Sequence, residues 1–276
     1  MVTTIRALFS SLFITGFVLF SLTSCDHPYG AALTKAGRAE LLEMHRSGEV
    51  NLDQAAILKP DGKKVDMDDV QRLKEGVLAG DYYLDAEGVI RKVIVRPANY
   101  QDRITAILIA NIGYDPREGI EILKLDCDSL KNAMSDYYRA KPPQYGIQES
   151  DTLSFWDFER IKIVSLVENC GFPSAETFGR EGVRIFWLMV QHSWPEVIAG
   201  YYSDFERAVE NGDLKESTFV LMTDRLLMHF DYPQVYGSQI LNGELYTIEN
   251  PDSVDIRRAS VGLGPLEEYL KNFDLN

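Results

Sequence analysis

Positive charge is what this chain most lacks: 28 Lys and Arg stand against 42 Asp and Glu, a net charge of −14. A nucleic-acid partner needs a face lined with Lys and Arg, so none is expected. Histidine is scarce as well, and His27, His45, His192 and His229 have none of the short spacings that hold zinc, so no metal is expected. Gly-x-Ser-x-Gly, the Walker loop and the dinucleotide fingerprint are all missing. Serine hydrolase, NTPase and dehydrogenase readings are therefore unsupported, and no cofactor is expected. After residue 24 no apolar run is long enough to span a bilayer. Cysteine is down to three, Cys25, Cys127 and Cys170.

The first of these cysteines closes the most apolar part of the chain. Residues 1–24 carry one charge, Arg6, then an apolar stretch from Ala7 to Leu22, then Thr23-Ser24 before Cys25. A basic n-region, an h-region and small residues before the cut read as a secretory signal peptide. Leu22-Thr23-Ser24-Cys25 resembles the bacterial lipobox, in which the Cys becomes the lipid-bearing first residue of the mature chain. The expectation is an envelope lipoprotein tethered to a membrane by acyl chains at Cys25, with residues 25–33 as the tether. A membrane-spanning anchor is the alternative. Cys127 and Cys170 then remain at the edges of separate apolar segments, and we expect two free thiols, with one disulfide as the alternative.

The remaining chain reads as two parts. In residues 34–140, Thr34 is expected to cap a helix running to Gly48, Lys59-Pro60-Asp61-Gly62 marks a turn, and Asp66 caps a short helix through Val70 and Leu73. Tyr82 to Leu84 and Val89 to Val95 read as a hairpin around Asp85-Ala86-Glu87-Gly88. Ile104 to Ile112 is helix or strand, and 119–125 leans towards strand. Lys141-Pro142-Pro143 opens a polar linker, so the domain boundary is expected within 141–153.

Residues 151–276 look mainly helical. Ser154 with Asp157 forms a capping pattern for a helix stopping at Gly171. The run from Arg180 to His192 is apolar on every side, and Pro195 opens a helix carrying Ile198, Tyr202, Phe205 and Val209. Asp213 with Glu216 is expected to cap the helix reaching Phe230. Asn242-Gly243 lies between two β-rich runs and signals a hairpin, and two short helical pieces close the chain. The fold class is α+β: a mainly helical C-terminal domain with a β-hairpin, preceded by a smaller mixed α/β module.

Three polar groups interrupt this apolar half. Asp224 and Arg225 sit in a helix with little room for a solvated face, and neighbours on a helix do not face one another. Each must find a partner elsewhere, with His192, Gln239, Arg257 and Arg258 as candidates. His192 ends an apolar helix, where it either works as an acid or base near neutral pH or satisfies the last carbonyls. Tyr236-Gly237-Ser238-Gln239 either brings backbone and a side-chain amide close to a ligand or forms a β-bulge serving the sheet.

Gly171-Phe172-Pro173, Gln191-His192, Asp224-Arg225, Tyr236-Gly237-Ser238-Gln239 and Arg257-Arg258-Ala259-Ser260-Val261-Gly262-Leu263 resemble, in this order, a bacterial family of unknown function. That family shows Gly-Trp-Pro, Gln-His, Asp-Arg and Tyr-Gly-Thr-Gln. The resemblance covers residues 128–273, with Phe172 and Ser238 as mild departures. An Asn that the family carries before the Gly-Trp-Pro is replaced near Phe158 or Glu159. The resemblance implies that the polar groups form one site and supplies no reaction. We expect Gln191, His192, Asp224, Arg225, Tyr236 and Gln239 to bind a small or peptide-like ligand. One alternative is a hydrolase or transferase with His192 as general base and Asp224 as its orienter, and another is a structural or interaction protein with a buried polar network.

Overall fold

The computed structural model describes residues 33–141, 144 and 154–273. The expected signal peptide, Cys25 and nearly all of the expected tether and 141–153 linker lie outside the described residues. Two compact units divide at Ile112/Gly113, so the division precedes the 141–153 linker and residues 113–140 belong with the C-terminal unit. The protein is α+β in class.

The N-terminal unit is built on a four-stranded sheet of order β1-β3-β4-β2: β1 Thr34–Lys35, β2 Ala56–Leu58, β3 Leu78–Leu84 and β4 Ile90–Pro97. The β3-β4 hairpin pairs antiparallel, and Asp85 stabilises its turn by accepting from the Glu87 and Val89 amides while pairing with Arg91 at 2.6 Å. Around the sheet lie α1 Arg38–Ser47, α2 Met67–Lys74 and α3 Tyr100–Ala110. Asp66 caps α2 through a reciprocal bond with Asp69, as its spacing predicts. Thr34 does not cap α1. It lies in β1, paired with Leu84, and the helix begins only after Gly37. The run from Ile104 to Ile112 is helix as far as Ala110, with Ile104, Ile107 and Leu108 buried on one face of α3.

The C-terminal unit carries α4 Cys127–Leu130, α5 Met134–Arg139, α6 Phe155–Cys170, α7 Ala175–Gln191, α8 Pro195–Glu210 and α9 Glu216–His229. After them come the hairpin β5 Ile240–Leu241 and β6 Glu244–Leu245, a 3-10 turn at Pro251–Ser253, then α10 Val254–Ser260 and α11 Leu266–Leu270. Its core is aromatic where α6 turns into α7: Phe172 packs edge-on against Phe186 at 5.3 Å and Phe205 at 5.0 Å. Ser154 caps α6 and Pro195 starts α8, both as expected.

Four sequence expectations are corrected here. Cys127 and Cys170 are not free thiols but form a disulfide, with Cα atoms 5.6 Å apart, that ties α4 to the end of α6. Residues 119–125 form no strand. Their backbone instead runs beside α6, where Ser165 accepts from the Leu123 amide and Asn169 donates to the Leu123 carbonyl. Asp213 does not cap α9 and accepts from the Ala175 amide at the start of α7. Finally, α7 begins at Ala175, breaks at Gly179 and leaves Arg184 exposed, so it is not apolar all round.

Lys162 shows why 113–140 belongs to this unit. Fully buried, it pairs with Glu159 at 2.7 Å and donates to the Tyr138 carbonyl at 2.8 Å, while the Tyr137 hydroxyl donates back to the Lys162 carbonyl. One turn of α6 thus satisfies the carbonyls that end α5.

Candidate functional site

Asp224 and Arg225 leave α9 in different directions and do different work. Asp224 is fully buried, and its carboxylate accepts from the amides of Val235 (2.7 Å), Tyr236 (3.0 Å) and Ser238 (3.0 Å) and from the Ser238 hydroxyl (2.9 Å). Burial pushes its carboxyl above the ordinary value and these donors pull it back. Three of the four are backbone amides, which can only donate, so the geometry favours the ionised form. Asp224 therefore shapes the 235–238 loop and does not orient His192.

The loop is built around that carboxylate. Gly237 has φ 69°, a backbone conformation that strains other residues, and a Cβ there would press on the Leu266 side chain at 2.8 Å. Buried Gln234 accepts from the Gln239 amide at 2.7 Å and donates to the carbonyls of Gln239 and Tyr246, which ties the loop to the hairpin. Behind it, Arg258 donates to the carbonyls of Tyr236 (2.7 Å) and Gly264 (2.6 Å) and stacks on Tyr269 at 5.1 Å. Arg257 donates to the Val235 carbonyl at 2.8 Å. Tyr236-Gly237-Ser238-Gln239 is thus neither strand nor bulge but a loop folded onto a buried anion.

Arg225 points the other way. Its Nη1 donates to His192 Nδ1 at 2.7 Å and its Nε to the Gln239 side-chain oxygen at 3.1 Å. Among the described residues no carboxylate lies within ion-pair reach of this guanidinium. The Gln239 amide end donates to the Leu221 carbonyl at 3.1 Å and to the Ser238 hydroxyl at 2.9 Å, so its oxygen is held towards Arg225. Arg225 and His192 are half-buried, whereas Gln191, Tyr236 and Gln239 are buried.

This contact sets the state of His192. A guanidinium only donates, so Nδ1 must accept and the ring hydrogen sits on Nε2. Burial first, then the Arg225 charge, push the imidazolium down to about 4. His192 is neutral at pH 7 and presents a donor, which is the wrong tautomer for a general base acting through Nε2. Gln191 reaches the same nitrogen at 3.3 Å. His229, one turn beyond Arg225 on α9, is likewise lowered by burial and by that charge.

Gln191, His192, Arg225 and Gln239 therefore meet in one cluster, and Asp224 and Tyr236 belong to the framework beneath it. The spacing of the chain did not reveal Gln234 or Tyr269. The Tyr269 hydroxyl donates to the Ser238 carbonyl at 2.8 Å, and only the closing of the C-terminal segment over the loop brings it there. Among the described residues no cluster of His, Cys, Asp and Glu could hold a metal.

No curated protein and no solved structure matches this chain. The model of one family matches residues 128–275, more than half of the chain and all of this cluster, and on that ground the protein belongs to a family of unknown function (DUF6624).

Proposed function

We propose that the C-terminal unit is a ligand-binding module, with Arg225, His192, Gln191 and Gln239 as its recognition groups, carried on a bacterial cell-envelope lipoprotein anchored by Cys25. One observation carries the binding reading. Arg225 is a half-buried cation held only by neutral acceptors, while the carboxylate beside it in sequence is used up on the 235–238 loop. A partly buried charge without a counter-ion is costly to keep unless something completes it. The disulfide Cys127–Cys170 supports an oxidising compartment such as the envelope.

Unfolding free energies test the binding reading. If the cluster is open to ligand and water, Arg225→Met and His192→Ala each lose under about 2 kcal/mol. A loss above about 4 kcal/mol in either would make the cluster a structural network. The anchor has its own test: Cys25→Ser is expected to abolish lipid labelling and release the protein from the membrane fraction. Among the described residues no helix is long and apolar enough to cross a membrane, and labelling that persists in the variant would end the lipoprotein reading.

A further inference from the structure

We infer that the group bound at this cluster is an oxyanion, a carboxylate or a phosphate, gripped between the free edge of Arg225 and the Nε2–H of His192. The inference rests on the binding reading above and adds the chemical class of the ligand.

Three observations point the same way. Arg225 uses Nε and Nη1 within the protein, and its Nη2 makes no bond among the described residues. It is also not among the buried atoms left without a partner, so it reaches solvent. A guanidinium fixed on two of its nitrogens and open on the third is oriented for a charge-assisted bond to an oxygen anion.

The second observation is His192. With Nδ1 taken by Arg225, its Nε2 donates, and the Gln191 amide nitrogen 3.3 Å away is a donor too. Two donors at that distance satisfy each other only if the Gln191 amide turns over to offer its oxygen. An incoming anion supplies the same acceptor and lets both groups donate to it.

The third concerns their neighbours along the chain. Trp187, one turn before Gln191 on α7, and Ser193, next to His192, are buried with the indole N–H and the hydroxyl unpartnered. The side-chain atoms left without a partner at this end of α7 are thus one N–H donor and one hydroxyl. Asp224, the carboxylate nearest in sequence, turns both oxygens into the 235–238 loop. The free edge of Arg225 and the Nε2–H of His192 are both donors beside an unneutralised charge, so they select an acceptor-only group and discriminate against amides and amines, which would bring further donors.

Histidine ring signals of the isotope-labelled protein, followed by NMR at constant ionic strength, test this with sodium acetate, sodium phosphate and acetamide as probes. Acetate, phosphate or both should shift the His192 resonances saturably, and acetamide should not. Arg225→Gln should remove the response. Arg225→Lys, which keeps the charge and loses the fork, should weaken it about tenfold or more, as the loss of one charge-assisted bond does. Saturation by acetate alone names a carboxylate such as a peptide terminus, saturation by phosphate alone names a phosphoryl group, and either upholds the inference. Absence of a saturable shift with both anions in the unsubstituted protein overturns it. If acetamide alone binds, the oxyanion assignment falls while the binding reading stands. The stability of Arg225→Met judges that reading separately.

Discussion

Two residues adjacent in sequence, Asp224 and Arg225, divide structure from recognition. A helix turns about 100° per residue, so neighbours face different surroundings. Asp224 meets backbone amides and becomes part of the framework, whereas Arg225 meets His192 and Gln239 and keeps an unneutralised charge. Burial of His192, with that charge beside it, makes stability depend on pH. The His192 imidazolium is pushed down to about 4 in the folded protein, from an ordinary value of 6.5. The unfolded chain therefore binds more protons between these values, and stability must fall as pH drops through that window. His229 is lowered too and adds to the same trend. Denaturation followed from pH 7 to 4 should show the decline, and His192→Gln should make it shallower. An unchanged slope in the variant would mean that His192 is not held neutral in the folded protein.

Among the elements, α6 is the strut on which the rest of the C-terminal unit is assembled. Its first turns hold the end of α5 through Lys162, its middle accepts the backbone of Leu123 through Ser165, and its last residue, Cys170, is bonded to Cys127. The disulfide closes a loop with a sequence separation of 43 residues, worth about 4 kcal/mol by loop-closure entropy. Cys127→Ser with Cys170→Ser should therefore lose about 2–4 kcal/mol, the lower end allowing for residual structure in the unfolded chain. Chemical denaturation with and without reductant measures this: the unsubstituted protein should weaken on reduction and the double variant should not respond. Equal stability of the two under oxidising conditions would show that the bridge constrains little.

For the whole molecule, the question is where the C-terminal unit begins. A polar, Pro-rich stretch suggested 141–153, but Lys162 is buried against carbonyls of residues 137–140 and Cys170 is bonded to Cys127. A fragment starting at 151 leaves the buried Lys162 ammonium with Glu159 but without its carbonyl acceptors, and removes the bridge to Cys127. Fragment 113–276 is therefore expected to unfold in one cooperative thermal transition, and fragment 151–276 to melt at a markedly lower temperature or without cooperativity. Matching transitions would return the boundary to the linker.

What the sequence determined alone was local. Asp66 and Ser154 start their helices where their spacing puts them, because a cap is satisfied by an amide three residues away, and Pro195 starts its helix because its fixed φ suits the first position. The Asn242-Gly243 turn is equally local, with both residues at positive φ between β5 and β6. Polar residues in apolar surroundings singled out Gln191, His192, Arg225 and Gln239, and only the family resemblance implied that they gather in one site. The tertiary structure decided whatever depended on distant partners. Thr34 went to a strand because Leu84 offered pairing, Asp213 served α7 rather than the helix beside it, and the two cysteines met because α4 folds back on α6. It also assigned Asp224 to the framework and Arg225 to the site. A buried charge takes whichever donors or acceptors the fold delivers, and spacing along the chain carries no record of which those are.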